Sequence, residues 1–356
     1  PYPTGNDLRD VAWSPDGSKA ILVGYAGTII EWDGLGFDSY YTGTGLNFNG
    51  VAWWPDATYA LIVGDGGKLL KLEDGQLSEI STGTTVTLTD ISINPNVGQA
   101  IIVGEERTVL VYDGESVTTV SSGGRILLTT VSWEPGGSYA MMAGYETANQ
   151  NPLQGTILQY WPENTTFKTR FTEFYYRFQG GAFSPNAETA VFSATYQDRN
   201  NNSGRLLMWN GEEITGTVND LQPGLTSVGW TPDGQLGYVV GNGNLVEFDF
   251  DGIPTGNTFD FFAQNSYGAF SYMPDGSEAI VVGSAGLVRR FDGAYMERLG
   301  NNALTDVRAT LNGAAWSPDG STLVMVGDVS WVIVYDGDTF DYDQGLVARL
   351  VHKPSN

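Results

Sequence analysis

The sequence holds no cysteine and a single histidine, His352, close to its C-terminal end. A Ser-His-Asp or Cys-His nucleophile is thereby ruled out, as are disulfides, thiolate metal sites and zinc or haem sites built on histidine. What remains is carboxylate chemistry of the glycosidase kind, in which two acids flank the bond to be cut, or Ca²⁺ held by Asp and carbonyl oxygens. The string FDFDG at 248–252 begins like a calcium loop but lacks the continuing acidic ligands and the terminal Glu, so a hairpin turn explains it better. Glu-Glu pairs at 105–106 and 212–213 fall in turns and read as solvated. The sequence therefore assigns no catalytic residue, no metal ligand and no required cofactor, with Ca²⁺ the one left open.

Binding chemistry is easier to find. Two segments, GYETANQNPLQGT (144–156) and ATYQDRNNNSGR (194–205), are longer than their counterparts elsewhere and rich in Asn and Gln. Between them lies FKTRFTEFYYRFQGG (167–181), the most aromatic stretch of the chain. Amide side chains hydrogen-bond hydroxyls, and tyrosine faces stack on sugars or on a partner's apolar side chains. The candidate ligand-binding residues are Tyr145, Glu146, Asn149, Gln150, Tyr175, Tyr176, Arg177, Tyr196, Asp198 and Arg199. Against this stands a blander reading: long surface loops tolerate insertion, and Asn-rich text marks them. Glycosylation sequons at Asn164 and Asn201 lie in the same sector, and a glycan on Asn201 would crowd the proposed groove.

Composition narrows the partner. With 41 acidic against 17 basic residues in 356, the net charge is −24, a field that repels phosphate backbones and anionic headgroups. Nucleic acid is excluded on that ground, and no apolar run is long enough to insert in a bilayer. Part of the acidity is structural, since eleven Asp-Gly dipeptides supply the positive φ that tight hairpins need. The rest, with 5 Lys against 12 Arg, suits a protein from salty water. The chain begins at Pro1, which fits removal of an export signal or trimming from a larger surface protein.

The elements that must position these groups are announced by repetition. VAWSPDGSKAILVGYAGTIIEWDG (11–34) returns as VAWWPDATYALIVGDGGKLLKLEDG (51–75), FSYMPDGSEAIVVGSAGLVRRFDG (270–293) and AAWSPDGSTLVMVGDVSWVIVYDG (314–337). Taking the Pro as marker, copies fall at Pro15, Pro55, Pro95, Pro135, Pro185, Pro232, Pro274 and Pro318, with spacings of 40 to 50 residues. That period with strand-like text is the mark of a propeller blade. Each copy reads as four strands: an apolar strand (Leu8, Val11, Trp13 in the first copy), an SPDG turn, KAILVG ending on a repeated Gly, TIIEWD, and a ragged fourth strand such as FDSYY. The aromatic two residues before the Pro (Trp13, Trp53, Trp133, Phe183, Trp230, Tyr272, Trp316, with Ile93 the exception) is core: a single sheet has two apolar faces and needs neighbours to bury both.

WSPDGS at 13–18 and 316–321, the apolar spacing before it, and EWDG at 31–34 make the sequence resemble the WD40 and PD40 (TolB-type) propeller repeats over nearly its whole length. True WD40 repeats carry a Gly-His dipeptide that this chain lacks, so the likeness is to the broader PD40-like class. The sialidase Asp-box is not met, because in SPDGS the Gly follows the Asp directly. The resemblance implies a binding platform.

The expectation is an all-β, eight-bladed propeller of four-stranded antiparallel blades in one domain, 1–356, with approximate blades 6–45, 46–85, 86–125, 126–175, 176–222, 223–264, 265–308 and 309–350; seven blades plus an irregular copy is the alternative. Either TFDYD (339–343) forms the outer strand of the last blade, or YPTG (2–5) does so and staples the ends together. Function is read as non-catalytic binding of a protein or surface glycan, outside the cytoplasm, on the face bearing 145–155, 175–177 and 196–204. One alternative is a carboxylate-based carbohydrate-active enzyme with Asp7, Asp10, Asp90 and Glu173 nearest the channel mouth. Asp10 and Asp90 share one repeat offset, which favours a cap or turn role for them. The other alternative is a purely structural repeat domain.

Overall fold

Alternating apolar residues bounded by Pro-Asp-Gly and Asp-Gly turns can only pair with near neighbours in the chain, and they do so eight times over. The computed structural model describes residues 6–344 apart from 95, 147–152, 187–188, 199–201, 222–223, 242–243, 250–253, 261–265, 300–306 and 308. Among them the strands form eight four-stranded antiparallel sheets, each with its strands side by side in chain order. The first sheet comprises Leu8–Trp13, Ala20–Gly24, Ile29–Trp32 and Phe37–Ser39. The innermost strand of each sheet packs against that of the next, and the circle closes where Leu311–Trp316 of the eighth meets Leu8–Trp13 of the first. The chain is an eight-bladed β-propeller.

The turns follow from their residues. In the first blade Gly17 has φ +71°, and the Asp16 carboxylate accepts the Ser18 N–H (3.0 Å) and the hydroxyls of Ser14 and Ser18. These bonds, the Ser14 hydroxyl foremost, hold Asp16 below the ordinary carboxylate range. Asp56, Asp233, Asp275 and Asp319 repeat the arrangement. The Gly that ends each second strand has another cause. Gly64 and Gly104 are extended, at φ −170°, yet a Cβ there would lie 2.2 Å from the carbonyl oxygen of Asn47 or Thr87 just ahead of the inner strand. The glycine is required by that close approach, not by φ; Ala194, opposite Phe178, is the exception in the fifth blade.

Every apolar cluster spans two adjacent blades. Trp133, Leu128 and Tyr160 of the fourth pack with Ile101, Val103 and Val109 of the third, all buried, and the first blade's Val11 and Leu22 pack with Val324 and Val326 of the eighth. Hydrogen bonds cross the same seams in both directions. The indole N–H groups of Trp13, Trp53, Trp133 and Trp230 donate backward to the carbonyls of Ala315, Ala12, Ser92 and Ala182 at 2.9–3.3 Å; the indole of Trp316 makes no such bond. A bulge in each of four inner strands turns one polar side chain forward, and Thr226, just ahead of its strand, takes the same direction. Asn49, Thr89, Thr129, Thr226 and Asn312 donate to Leu88, Leu128, Phe178, Tyr267 and Leu8 carbonyls respectively. Thr89→Val, which keeps shape and removes the 2.6 Å bond to Leu128, is expected to lower stability by about 1 kcal/mol in urea unfolding; an unchanged midpoint would mean these bonds add nothing to the seam.

The last blade takes its outer strand from its own end of the chain: Phe340–Gln344 pairs with Trp331–Tyr335. Residues 2–5, the alternative staple, lie outside the described residues. The ends are joined by Asn312 to Leu8, Trp13 to Ala315, and the Ser330 N–H to the Asn6 carbonyl (2.7 Å).

Candidate binding face

One face of the ring carries the turns between second and third strands and the links that enter the inner strands. In five blades that turn is three residues long with a left-handed centre, such as Ala26 (φ 50°) or Val329 (φ 57°). The fourth and fifth blades differ. Their strands are seven to nine residues long (Ile126–Trp133, Ala140–Glu146, Gln154–Trp161 and Thr166–Phe174, then Tyr176–Phe183, Ala190–Gln197, Asn202–Trp209 and Ile214–Leu221). Elsewhere the inner pairing starts at Leu8↔Gly24 or its equivalent. Here two further rungs precede that point: Ile126↔Glu146 and Leu127↔Tyr145, then Tyr176↔Tyr196 and Arg177↔Thr195. At about 3.4 Å per residue, the two blades stand roughly 7 Å above the face.

This corrects the expectation that 144–156 and 194–205 are loops. Tyr145 pairs with Gly155, Thr195 with Gly204, Tyr196 with Ser203 and Gln197 with Asn202, so much of both insertions is hairpin. Tyr and Thr favour the pleated surface and outweigh the turn preference of the surrounding Asn and Gln.

The crest is stitched together at Tyr175, the one residue between the outer strand of the fourth blade and the inner strand of the fifth. It takes φ +75°, donates its N–H to the Leu153 carbonyl (2.6 Å) and accepts the Gln197 N–H (2.9 Å). Gly155 makes room: a Cβ there would come within 2.5 Å of the Tyr176 Cβ. Arg177, exposed, lies over the Tyr145 ring of the neighbouring blade at 5.0 Å. Tyr196 is central to the cluster, with Tyr175 at 5.7 Å, Tyr176 edge-on at 5.3 Å and the Arg205 guanidinium 4.7 Å above its ring. Its hydroxyl donates to Asp198 (3.2 Å). Burial pushes the Tyr176 hydroxyl above its ordinary pKa, and Arg205 offsets part of that.

Of the sequence candidates, Tyr145, Tyr175, Tyr176, Arg177, Tyr196 and Asp198 thus meet at one crest, with Glu146 on its outermost rung. Asn149, Gln150, Arg199 and the sequon Asn201 lie outside the described residues. Asn164 sits at the opposite end of the fourth blade, its side chain accepting the N–H and hydroxyl of Thr166 in the hairpin turn. Arg205 was not singled out from the sequence. Its signal was spacing: it is two residues beyond Ser203, the partner of Tyr196, and so lies diagonally across the hairpin on the same side.

The acids proposed for the channel mouth do not form a catalytic pair. Glu173 is not near the channel: it pairs with Gly155 on the outermost strand of the fourth blade and is exposed. Asp7 caps the N–H of Val329 (3.0 Å). Asp10 and Asp90 lie on inner strands, partly open to the lumen but enclosed by the ring, and each bridges two blades. Asp10 accepts Val11 N–H (2.9 Å) and Val51 N–H (2.9 Å); Asp90 accepts Ile91 N–H (2.8 Å) and Val131 N–H (2.8 Å). One oxygen of each thus caps the next residue of its own strand, and the other joins that strand to the neighbouring blade. Burial raises Asp10 to about 6, and Asp90, which also feels the charge of Asp10, to about 7. Among the described residues no group of three His, Cys, Asp or Glu is placed to hold a metal.

With this geometry the fold class is that of the WD40-type propellers. The chain is similar to the C-terminal WD40 domain of Sif2 (TM-score 0.70, 11% identity, 93% of this chain and 96% of that one) and to the Dos1 propeller (TM-score 0.77, 12% identity, 94% and 93%). It is also similar to Chaetomium thermophilum Sqt1 bound to the N-terminus of the ribosomal protein L10 (TM-score 0.73, 14% identity, 94% and 100%). At such identities the likeness is one of fold. No family model matches the sequence, and no curated protein does.

Proposed function

We propose that this propeller is a non-catalytic protein-interaction module whose partner docks on the face carrying the crest of blades four and five. The observation that carries the reading is the crest itself. Two adjacent blades out of eight are raised by two rungs, and the raised rungs present Arg177 on Tyr145 and a Tyr175–Tyr176–Tyr196–Arg205 cluster. Arginine and tyrosine are the residues that dominate binding energy at protein interfaces, and half-buried rings lose little further entropy on docking. The Sqt1 structure, of the same fold, holds the N-terminus of another protein, which is the kind of partner this reading expects.

Peptides selected from a displayed library on the intact propeller should bind the variant Tyr145→Ala/Arg177→Ala about 30-fold more weakly, as expected when interface anchors are truncated. Selected peptides that bind both proteins equally would move the site off the crest. Selection of no peptide, with retention of a soluble polysaccharide instead, would replace the protein partner by a glycan.

A further inference from the structure

We propose that the outer strand of the fourth blade, Thr166–Phe174, pairs edge to edge with the same strand of a second copy of this chain. The two strands run antiparallel, with Thr169 of each opposite Thr172 of the other, and make a two-fold symmetric dimer.

An outer strand has one edge bonded to its sheet and one unpaired, and proteins commonly keep such edges short or charged. At nine residues this is the longest of the outer strands among the described residues; the others have three to eight. It also has a net positive charge, from Lys168 and Arg170 against Glu173, in a chain of −24. Two copies therefore repel each other least along this edge. Six of its nine residues are exposed, Phe174 to 49%. Lys168 and Glu173 form no ion pair among the described residues.

A bulge fixes which groups face out. Ile157 pairs with Phe171 and the next residue, Leu158, with Thr169, so Arg170 is the extra residue. Phe167 and Phe171 consequently point to opposite sides, one into the seam with the third blade and the other into the seam with the fifth. Alternation from these two rings puts Phe174 on the side of Phe167, and Lys168 with Glu173 on the other. The backbone follows the same count. The Tyr175 N–H points inward to the Leu153 carbonyl. Stepping along Gln154–Trp161 from there, Phe174, Thr172, Thr169 and Phe167 turn their N–H and C=O groups away from the sheet.

These four positions are complementary to themselves. With Thr169 opposite Thr172, Phe167 falls opposite Phe174, and the two bulges meet at the centre so that alternation stays in phase. Each outward residue then meets an outward residue, for about eight backbone hydrogen bonds. In this register Lys168 faces Glu173 of the second copy on one side of the joined sheet, and Phe167 faces Phe174 on the other. Symmetry makes each pair twice, and opposite charges and aromatic pairs are the favourable cross-strand combinations. Phe174 is at the crest end of the blade and the 162–165 turn at the other. The antiparallel pairing therefore aims the two crests in opposite directions and leaves both open.

The test is sedimentation equilibrium of the full chain from about 1 to 200 µM, a range suited to a small interface. In about 0.15 M salt the overall charge is largely screened, while directly opposed side chains still interact. A reversible monomer–dimer equilibrium is expected. Lys168→Glu and Glu173→Lys each set like charges opposite one another and should weaken it by about tenfold or more. Mixed together, the two variants should dimerise again, because every glutamate then faces a lysine. Within one chain the two positions are four rungs apart, about 13 Å, so a role inside the blade would not produce that rescue. Thr172→Pro removes an N–H that the blade does not use, so it should keep the thermal midpoint and abolish the dimer. A chain that is monomeric throughout, a dimer indifferent to Thr172→Pro, or charge variants that fail to rescue each other would each overturn the pairing. Peptide binding to the Thr172→Pro chain judges the crest separately.

Discussion

Lowering the pH from about 8 to about 5 is expected to make this propeller more resistant to urea, and the gain should come mainly from two residues. Asp10 and Asp90 are held at about 6 and about 7, with burial the largest cause in both. In the unfolded chain they titrate near 4. A carboxylate raised on folding binds its proton more tightly in the native state. Its contribution is complete below pH 4 and is lost as pH rises through the folded value. At 1.36 kcal/mol per unit, Asp10 changes stability by roughly 3 kcal/mol and Asp90 by roughly 4 kcal/mol between pH 4 and its folded value. The opposite limb belongs to the turns. Asp16, Asp56, Asp233 and Asp275 are held below the ordinary range, and Asp319 at about 2, chiefly by Ser and Thr hydroxyls. Their contribution is present above pH 4 and fades as pH falls through their lowered values. Maximum stability should therefore lie near pH 4 to 5, on the acid side of the usual range.

The net charge of −24 favours the same trend through self-repulsion. Salt separates the two causes, because about 0.5 M screens surface charges and leaves enclosed ones largely untouched. In that salt the variant Asp10→Asn/Asp90→Asn should lose most of its slope between pH 5 and 8. It should also be less stable at pH 5, since the hydroxyl oxygen of each protonated carboxyl can still accept a backbone N–H, whereas the amide nitrogen that replaces it cannot. A slope that survives in the double variant at high salt would assign the pH dependence to other groups.

How far these features could be read in advance depends on whether they repeat. The blade, its four strands and its turns recur eight times, so spacing alone exposes them. The shared offset of Asp10 and Asp90 points to a cap, but not to the strand being capped. Val51 and Val131 are 41 residues further on in each case, and only closure of the ring brings them beside the carboxylates. The glycines after the second strands were visible as a column; their reason, a carbonyl 2.2 Å from an absent Cβ, is tertiary. At the crest the insertions were legible because they break the period. Their conformation was not, because Asn-rich text and strand pairing compete locally and the pairing of Tyr196 with Ser203 and Tyr176 decides the matter. Glu173 was misplaced for a related reason. The outer strand of the fourth blade runs into the inner strand of the fifth through Tyr175 alone, so a residue that closely precedes an inner strand is still on the rim.

The largest single loss of stability is expected from Trp133→Ala. Trp133 is 5% exposed and sits in the cluster shared by the third and fourth blades, against Ile101, Val103 and Val109 across the seam. Its indole N–H donates to the Ser92 carbonyl on the facing inner strand (3.2 Å). Truncation of a buried tryptophan costs about 3–5 kcal/mol in transfer and cavity terms. The orphaned Ser92 carbonyl adds about 1 kcal/mol. Trp133→Phe retains most of the ring and removes the donor, so it should fall between, at roughly 1–2 kcal/mol. Leu35, 91% exposed in a hairpin turn, is the comparison: Leu35→Ala should stay within about 0.5 kcal/mol. Amide hydrogen exchange locates the effect. If the aromatic column joins blades, Trp133→Ala should raise exchange first on both sides of its seam, in Leu88–Asn94 and Ile126–Trp133. Exchange confined to the fourth blade would mean that the indole stabilises its own sheet, and that the ring is held by the side-chain-to-carbonyl bonds of Thr89 and Thr129 instead.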